Sequence, residues 1–336
     1  MKIGVIGAGA IGNLVAAYLK LKEEDVFLAG TASSIDAIKK NGLDVSGVRG
    51  DFHLSLDCGL LLNEKKDLVI LAAKTQDLKE ALNANLDFIK GALLVTTQNG
   101  VAADSIAAGF APKENIISSI VMFGATYLEP GKIVHNFEGS WILAGAFGKN
   151  NKKTPQVSEV LNKIFPCLVS EDIRGMKYLK IFVNANNCIP AVLGQSMQEA
   201  FSDLEISRIS IAIWKEAMDV VSRSNIKLVS LPDFPLERLV RMTQMPISEA
   251  ARIYSGIMAS LSKQPVYGSI LQSIKRKRAS EIDYINGEFV SLAKVHNSQA
   301  PLNEMLVSMV HRVEKTGDFF SKEELLSKTK DLVEKI

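Results

Sequence analysis

Gly7-Ala8-Gly9-Ala10-Ile11-Gly12 sets three glycines at G-x-G-x-x-G spacing, after the apolar run Ile3 to Ile6 and ahead of Leu14, Ala17 and Leu19 at helical spacing. Such a loop suits a dinucleotide pyrophosphate. The first glycine permits a tight turn, the second lets backbone approach the phosphates, and the third allows close packing of helix on strand. The helix N-terminus adds partial positive charge. A bare glycine pattern also occurs in tight turns without ligand, but the strand before it and the helix after it favour the dinucleotide. Two further places carry polar groups among apolar ones. In Tyr178-Leu179-Lys180-Ile181-Phe182-Val183-Asn184, Lys180 and Asn184 are four apart and share a helix face. An ammonium in such company demands a reason. Ser269 and Glu281 lie in the segment Ser269 to Gly287, where a helix is expected to continue from Glu281 through Ile282, Ile285 and Phe289. On composition alone, an exposed lysine and glutamate on helix surfaces would be the simpler reading of both.

A carboxylate about 20 residues beyond the glycines would hold the ribose of NAD. The second strand runs instead into Ala29-Gly30-Thr31-Ala32-Ser33-Ser34, hydroxyl-rich and uncharged. Without a carboxylate nothing repels a 2′-phosphate, so NADP (as NADPH) is favoured, with NAD as the alternative. Lys39 and Lys40 follow in a short helix and read more simply as a solvated face than as phosphate ligands.

The elements that must position these residues alternate in the first half. Strands are expected at Lys2 to Ile6, Val26 to Ala29, Leu68 to Ala72, Leu93 to Thr96 and Ile116 to Val121, with helices at Gly12 to Leu21, Asp36 to Asn41 and Thr75 to Ile89. This is the pattern of an α/β, Rossmann-type, doubly wound parallel sheet. Ile133 to Phe137 and Trp141 to Ala144, flanking Glu138-Gly139, read as a hairpin that ends the sheet. A helix and strand within Pro155 to Ser170 close a dinucleotide-binding domain of residues 1–172. Residues 173–336 read as an all-helical domain. Long amphipathic stretches there are Tyr178 to Val192, Leu204 to Ser224, Ser248 to Ser262 and Glu281 to His296, and Lys322 to Lys335 reads as a solvated amphipathic helix.

The chain has 336 residues, with 39 basic against 37 acidic side chains, and the resulting net charge of +2 gives no electrostatic case for nucleic acid or an anionic membrane. No apolar run approaches the roughly 18 residues of a membrane helix. Gly7, Gly9 and Gly12 would break the helical core of a secretory signal peptide, which the N-terminus otherwise imitates. Cys58, Cys167 and Cys188 fit neither a disulfide framework nor a zinc site, so a reducing, cytoplasmic setting is the default expectation. The four histidines have no metal-ligand spacing, and no metal is expected. The run Lys275-Arg276-Lys277-Arg278 is too short for a nucleic-acid patch and reads as a solvated face.

Taken together, Gly7 to Gly12, Lys74-Thr75-Gln76, Gln98-Asn99-Gly100, Lys180 with Asn184, and Ser269 through Arg278-Ala279-Ser280-Glu281-Ile282-Asp283-Tyr284-Ile285-Asn286-Gly287 resemble the ketopantoate reductase family, in the family's order and over nearly the whole chain. The resemblance implies a dinucleotide-binding domain followed by a helical domain, NADPH as reductant and a 2-oxo acid, 2-dehydropantoate, as substrate. It implies that Lys180 is the general acid and that Glu281 positions substrate or Lys180. Asn99, Asn184 and Ser269 would hydrogen-bond substrate or nicotinamide, and Lys74 and Gln76 would lie beside the cofactor. A homodimer through the helical domain also fits the family. A cation aimed at the keto oxygen stabilises the alkoxide charge as hydride arrives. Departures from the family pattern are the missing arginine near Thr31, Cys188 in place of a second asparagine, Tyr178 in place of tryptophan and Ser273 in place of aspartate. They leave open a family reductase acting on another 2-oxo acid. A dinucleotide-sensing protein without catalysis is the rival from another class, and the presence of Lys180, Asn184, Ser269 and Glu281 together argues against it.

Overall fold

A computed structural model describes residues 1–148, 152–262 and 264–336. The chain divides into two compact units, Met1–Ile173 and Arg174–Ile336.

The strands of the first unit are β1 (Ile3–Ile6), β2 (Val26–Ala29), β3 (Leu43–Gly47), β4 (Phe52–Leu54), β5 (Cys58–Gly59), β6 (Leu68–Leu71), β7 (Leu93–Thr96), β8 (Ile116–Val121), β9 (Gly124–Glu129), β10 (Lys132–Phe137), β11 (Trp141–Gly145) and β12 (Cys167–Val169). Its helices are α1 (Ala10–Leu21), α2 (Ala32–Asn41), α3 (Leu78–Ala84), α4 (Leu86–Ile89), α5 (Ala102–Ala107) and α6 (Thr154–Leu161). Among the described residues the strands form an eight-stranded sheet, ordered β12-β11-β8-β7-β6-β1-β2-β5, and a four-stranded sheet, ordered β4-β3-β10-β9. All pairs of the large sheet are parallel except β11 with β8. Its central strands are apolar on both sides because each face is covered. Ile3, Val5, Leu68, Ile70 and Val95 share a core with α1, whereas Ile6, Val69, Leu71 and Leu94 face α3 and α5. The sheet is therefore doubly wound, as its alternating pattern indicated.

The second sheet lies over α1 and was not foreseen. It corrects the expected hairpin: β10 pairs with β9 and β3, while β11 pairs with β8 and β12 in the large sheet. Between them the chain crosses from one sheet to the other at Gly139, where a Cβ would strike the Met122 backbone. The true hairpin turn is Pro130-Gly131, with Gly131 at φ 82°. The expected helix Thr75 to Ile89 is broken into a 3-10 turn (Thr75–Asp77), α3 and α4. Asn85 interrupts it, donating to the Ala81 carbonyl at 2.9 Å and accepting the Leu62 N–H at 2.8 Å.

Among its described residues the second unit is helical: α7 (Ile173–Ala185), α8 (Cys188–Leu193), α9 (Met197–Phe201), α10 (Leu204–Ser222), α11 (Leu236–Gln244), α12 (Ile247–Ala259), α13 (Ser269–Lys275), α14 (Asn286–Val295), α15 (Pro301–Thr316) and α16 (Lys322–Val333). The expected run Tyr178 to Val192 is split. Pro190 sits in the first turn of α8, and its ring is incompatible with a helix continuing from Asn186. Glu216 on α10, buried, accepts the N–H groups of Leu302 and Asn303 at 2.9 and 2.8 Å and so satisfies the start of α15.

Candidate active site

In the first unit, Thr96, Leu71, Ile6 and Ala29 lie side by side in register at the carboxyl ends of β7, β6, β1 and β2. Four neighbouring strands at about 4.8 Å spacing cover roughly 15 Å. The loops leaving this edge carry Asn99, Lys74 and Gln76, the glycine loop, and Thr31. The chain turns back between β1 and β6, where ligands of open α/β sheets bind.

The glycines differ in what surrounds them. Gly7 sits at φ 116°, open only to glycine at low cost, and a Cβ there would strike the Ala72–Ala73 backbone at the end of β6. At Gly12 a Cβ would run into the Gly7 carbonyl, so α1 starts hard against β1. Gly30 admits Ala8, whose Cβ would be 2.5 Å from a Cβ on Gly30. Gly9 alone among these faces nothing within 4 Å. It is the N-cap of α1, with no side-chain cap and no acidic residue in the first turn, and Ala10 and Ile11 follow half-exposed. Open space over Gly9 against an uncapped helix end is a cradle that a pyrophosphate fits.

Thr31 is the exposed N-cap of α2, with Ser33 Oγ 3.4 Å from its hydroxyl, and no carboxylate stands at the end of β2. Lys39 and Lys40 fall in the last turn of α2, about 12 Å along its axis from Thr31, exposed as a solvated face. Lys74 and Gln76 are half-buried around the 3-10 turn after β6. Within Gln98-Asn99-Gly100 the roles divide. Gln98 is buried and donates to the Leu71 and Ala73 carbonyls at 2.8 and 2.7 Å, which braces the edge, while Asn99 is half-exposed. That bracing role of Gln98 has no sequence signal beyond a polar residue at a strand end.

In the second unit Lys180 and Asn184 lie half-buried on one face of α7. Burial pushes the Lys180 ammonium down to about 8, the Glu281 carboxylate acts against that shift, and buried Lys177 one turn earlier adds to it. The structure therefore brings Glu281 within electrostatic reach of Lys180. Glu281 is not inside a continuing helix as expected. It heads a 3-10 turn, Ile282–Tyr284, and α14 begins only at Asn286. Ser280 before it is buried, its N–H held by Glu314 Oε1 at 2.7 Å. Asp283 is exposed and bonded to His311 Nε2 at 3.0 Å.

Ser269 is exposed at the first position of α13. Gly268 before it lies so close to Asn187 that a Cβ would be 3.2 Å from the Asn187 side chain, which brings Ser269 near the N-cap of α8, two residues beyond the end of α7. Ser273 turns its hydroxyl to the Ser269 carbonyl at 2.8 Å. Cys188 is fully buried, its thiol pushed up to about 12 by burial, and behaves as a small core side chain. Among the described residues no three His, Cys, Asp or Glu are grouped to hold a metal ion, and no helix is long and apolar enough to cross a membrane.

Comparison with known proteins bears on both units. Residues 3–148 match the family model "Ketopantoate reductase PanE/ApbA", and residues 172–314 match its C-terminal counterpart. A 2-dehydropantoate 2-reductase of Pyrococcus horikoshii is 31% identical over 324 residues, covering 94% of this chain and 99% of that protein. One of Pyrococcus abyssi is 30% identical, covering 92% and 97%. Among solved structures, a D-mandelate dehydrogenase with NADH and anilino(oxo)acetate superposes with TM-score 0.81 at 24% identity, covering 94% of this chain and 99% of that one. A 2-dehydropantoate 2-reductase of Geobacter metallireducens gives 0.78 at 19%, covering 93% and 100%, and these two show the shared fold. With both units matched by the family's models and relatives about 30% identical over nearly their whole length, the chain belongs to the ketopantoate reductase family.

Proposed function

We propose that this protein reduces 2-dehydropantoate to pantoate with NADPH, the first unit binding the dinucleotide and the helical unit supplying the acid. The observation that carries the reading is Lys180: a half-buried ammonium held near 8, with Glu281 acting on it, is matched to giving up a proton near neutral pH. The activity printed for the Pyrococcus relatives supports the substrate.

Gly7, Gly9, Gly12 and the start of α1 would hold the pyrophosphate, with Lys74 and Gln76 beside it and Thr31 toward the adenosine ribose. Bound there, NADPH supplies the hydride. Lys180 holds a proton at Nζ for the keto oxygen and stabilises the charge that develops on it. Glu281 keeps Lys180 charged and orients it, and Asn99, Asn184 and Ser269 donate hydrogen bonds that orient substrate and nicotinamide.

The decisive measurement is loss of reduced-nicotinamide absorbance across a panel of 2-oxo acids, with NADPH and again with NADH. Fastest turnover of 2-dehydropantoate with NADPH supports the proposal. Faster turnover of another 2-oxo acid favours the second reading, a relative with a different substrate, which Ser273 supports because its hydroxyl is engaged within its own helix. Cofactor binding with no turnover on any acid would indicate a dinucleotide sensor.

Two substitutions test the details. Thr31→Asp shifts preference toward NADH, because the new carboxylate accepts from a ribose hydroxyl and repels a 2′-phosphate. The check is the ratio of kcat/KM for the two cofactors, and a ratio that does not move refutes the placement of the ribose. Glu281→Gln raises KM for the 2-oxo acid and lowers kcat with little effect on cofactor affinity. Asp283→Asn is the control, since Asp283 faces His311 at the surface. Equal damage from both would mean the segment is structural.

A further inference from the structure

Lys180 and Glu281 stand on different elements, and the Glu281 segment is irregular. Between the 3-10 turn and α14, Ile285 adopts φ −115° and ψ −89°, outside helical and extended geometry, so local backbone preference does not fix where Glu281 points. Contacts from other elements hold it: from α15, Glu314 Oε1 accepts the Ser280 N–H at 2.7 Å and His311 bonds Asp283, and α7 reaches the following helix, α14.

A hydrogen bond and a ring pair join α7 to α14. Tyr178, two residues before Lys180, donates its hydroxyl to Glu288 Oε1 at 2.8 Å. One turn further along α7, Phe182 packs on Phe289 with ring centroids 4.8 Å apart. Tyr178 is 2% exposed and Glu288 half-buried. A carboxylate and a phenol in this setting are costly unless paired, so their bond fixes the spacing of the two helices more tightly than apolar contact alone. Burial raises the Glu288 carboxyl, and both the Tyr178 bond and the Arg174 charge work in the opposite sense. Nothing in catalysis as described above uses either group.

We propose that the Tyr178–Glu288 hydrogen bond is a positioning clamp that sets the distance between Lys180 and Glu281. The proposal rests on Lys180 being the acid of the proposed reaction, but it can be read without turnover. The charged groups acting on Lys180 are Glu281 from the segment before α14 and Lys177 on its own helix. Glu281 favours the charged lysine, whereas burial and Lys177 disfavour it. Loosening the clamp therefore weakens the one influence that raises the Lys180 pKa, and the ammonium titrates at lower pH.

The experiment follows the titration of Lys180 by NMR of carbon-labelled lysine, assigned with Lys180→Gln, in four proteins: wild type, Tyr178→Phe, Glu288→Gln and the double variant Tyr178→Phe/Glu288→Leu. Glu288→Gln keeps an acceptor for the phenol and should titrate as wild type. Tyr178→Phe should titrate lower by about half a pH unit or more, the scale of one weakened charge contact. The double variant leaves no buried carboxylate unpaired, so its Tm should recover while the lowered titration persists. If Tyr178→Phe does not fold, the double variant carries the test. A Lys180 titration unchanged in the double variant overturns the clamp, whatever the stabilities. A panel without turnover, together with a shifted titration, would refute the reaction while leaving the clamp standing.

Discussion

Lys180→Ala lowers the rate of 2-oxo acid reduction by roughly two to four orders of magnitude, the range for a positioned general acid, and leaves NADPH affinity nearly unchanged. The separation arises because the glycine cradle is built wholly within the other unit. Dinucleotide affinity by fluorescence and turnover in one preparation provide the check. A folded variant with wild-type turnover would remove Lys180 from the mechanism. The pH profile supplies a second signature. Lys180 donates only when protonated, so the rate is full below about 8 and falls as pH rises through that value. Glu281→Gln removes the charge that favours the ammonium, and its falling limb should therefore move to lower pH, not higher.

Gly9→Val abolishes dinucleotide binding, by about 100-fold or more, without loss of Tm. Gly9 has φ −90° and ψ −163°, which valine adopts readily, and its side chain would enter space that no protein atom occupies. That space is where a pyrophosphate would approach the backbone. Gly12→Ala is the contrasting case, since its methyl meets the Gly7 carbonyl and the variant should lose stability along with binding. Titration of NADPH beside thermal melts distinguishes them. If Gly9→Val binds normally, the loop is a tight turn and the cofactor lies elsewhere.

The large sheet was legible because β1, β6 and β7 are short, almost wholly apolar runs, as strands buried on both faces tend to be, and β8 differs only in two buried serines that are hydrogen-bonded within the unit. The small sheet was not. β3, β4 and β9 mix polar with apolar residues, and the parallel pairing of β3 with β10 that joins the two hairpins into one sheet links segments far apart in the chain, so no local period announces it. Pro130-Gly131 was the available signal for the true hairpin, and Pro190 for the break after α7; both are local backbone constraints that apolar periodicity overrides in a sequence reading. The candidate site was legible as residue types and spacings. Its pairing of Glu281 with Lys180 was legible only through family resemblance, because the bridging clamp of Tyr178 and Glu288 spans 110 residues and each partner alone looks like a surface side chain.

The small sheet also constrains how the chain can be made. Its parallel pair β3 with β10 joins segments separated by several strands of the other sheet, and α1 is covered from outside by β9 and β10 as well as β3. During synthesis α1 leaves the ribosome about 100 residues before β9 does, with Gly12 to Leu19 destined to be buried on every side. A nascent chain halted before Gly124 would lack β9 and β10, leaving the face of α1 that they cover exposed as an apolar surface of the kind that chaperones bind.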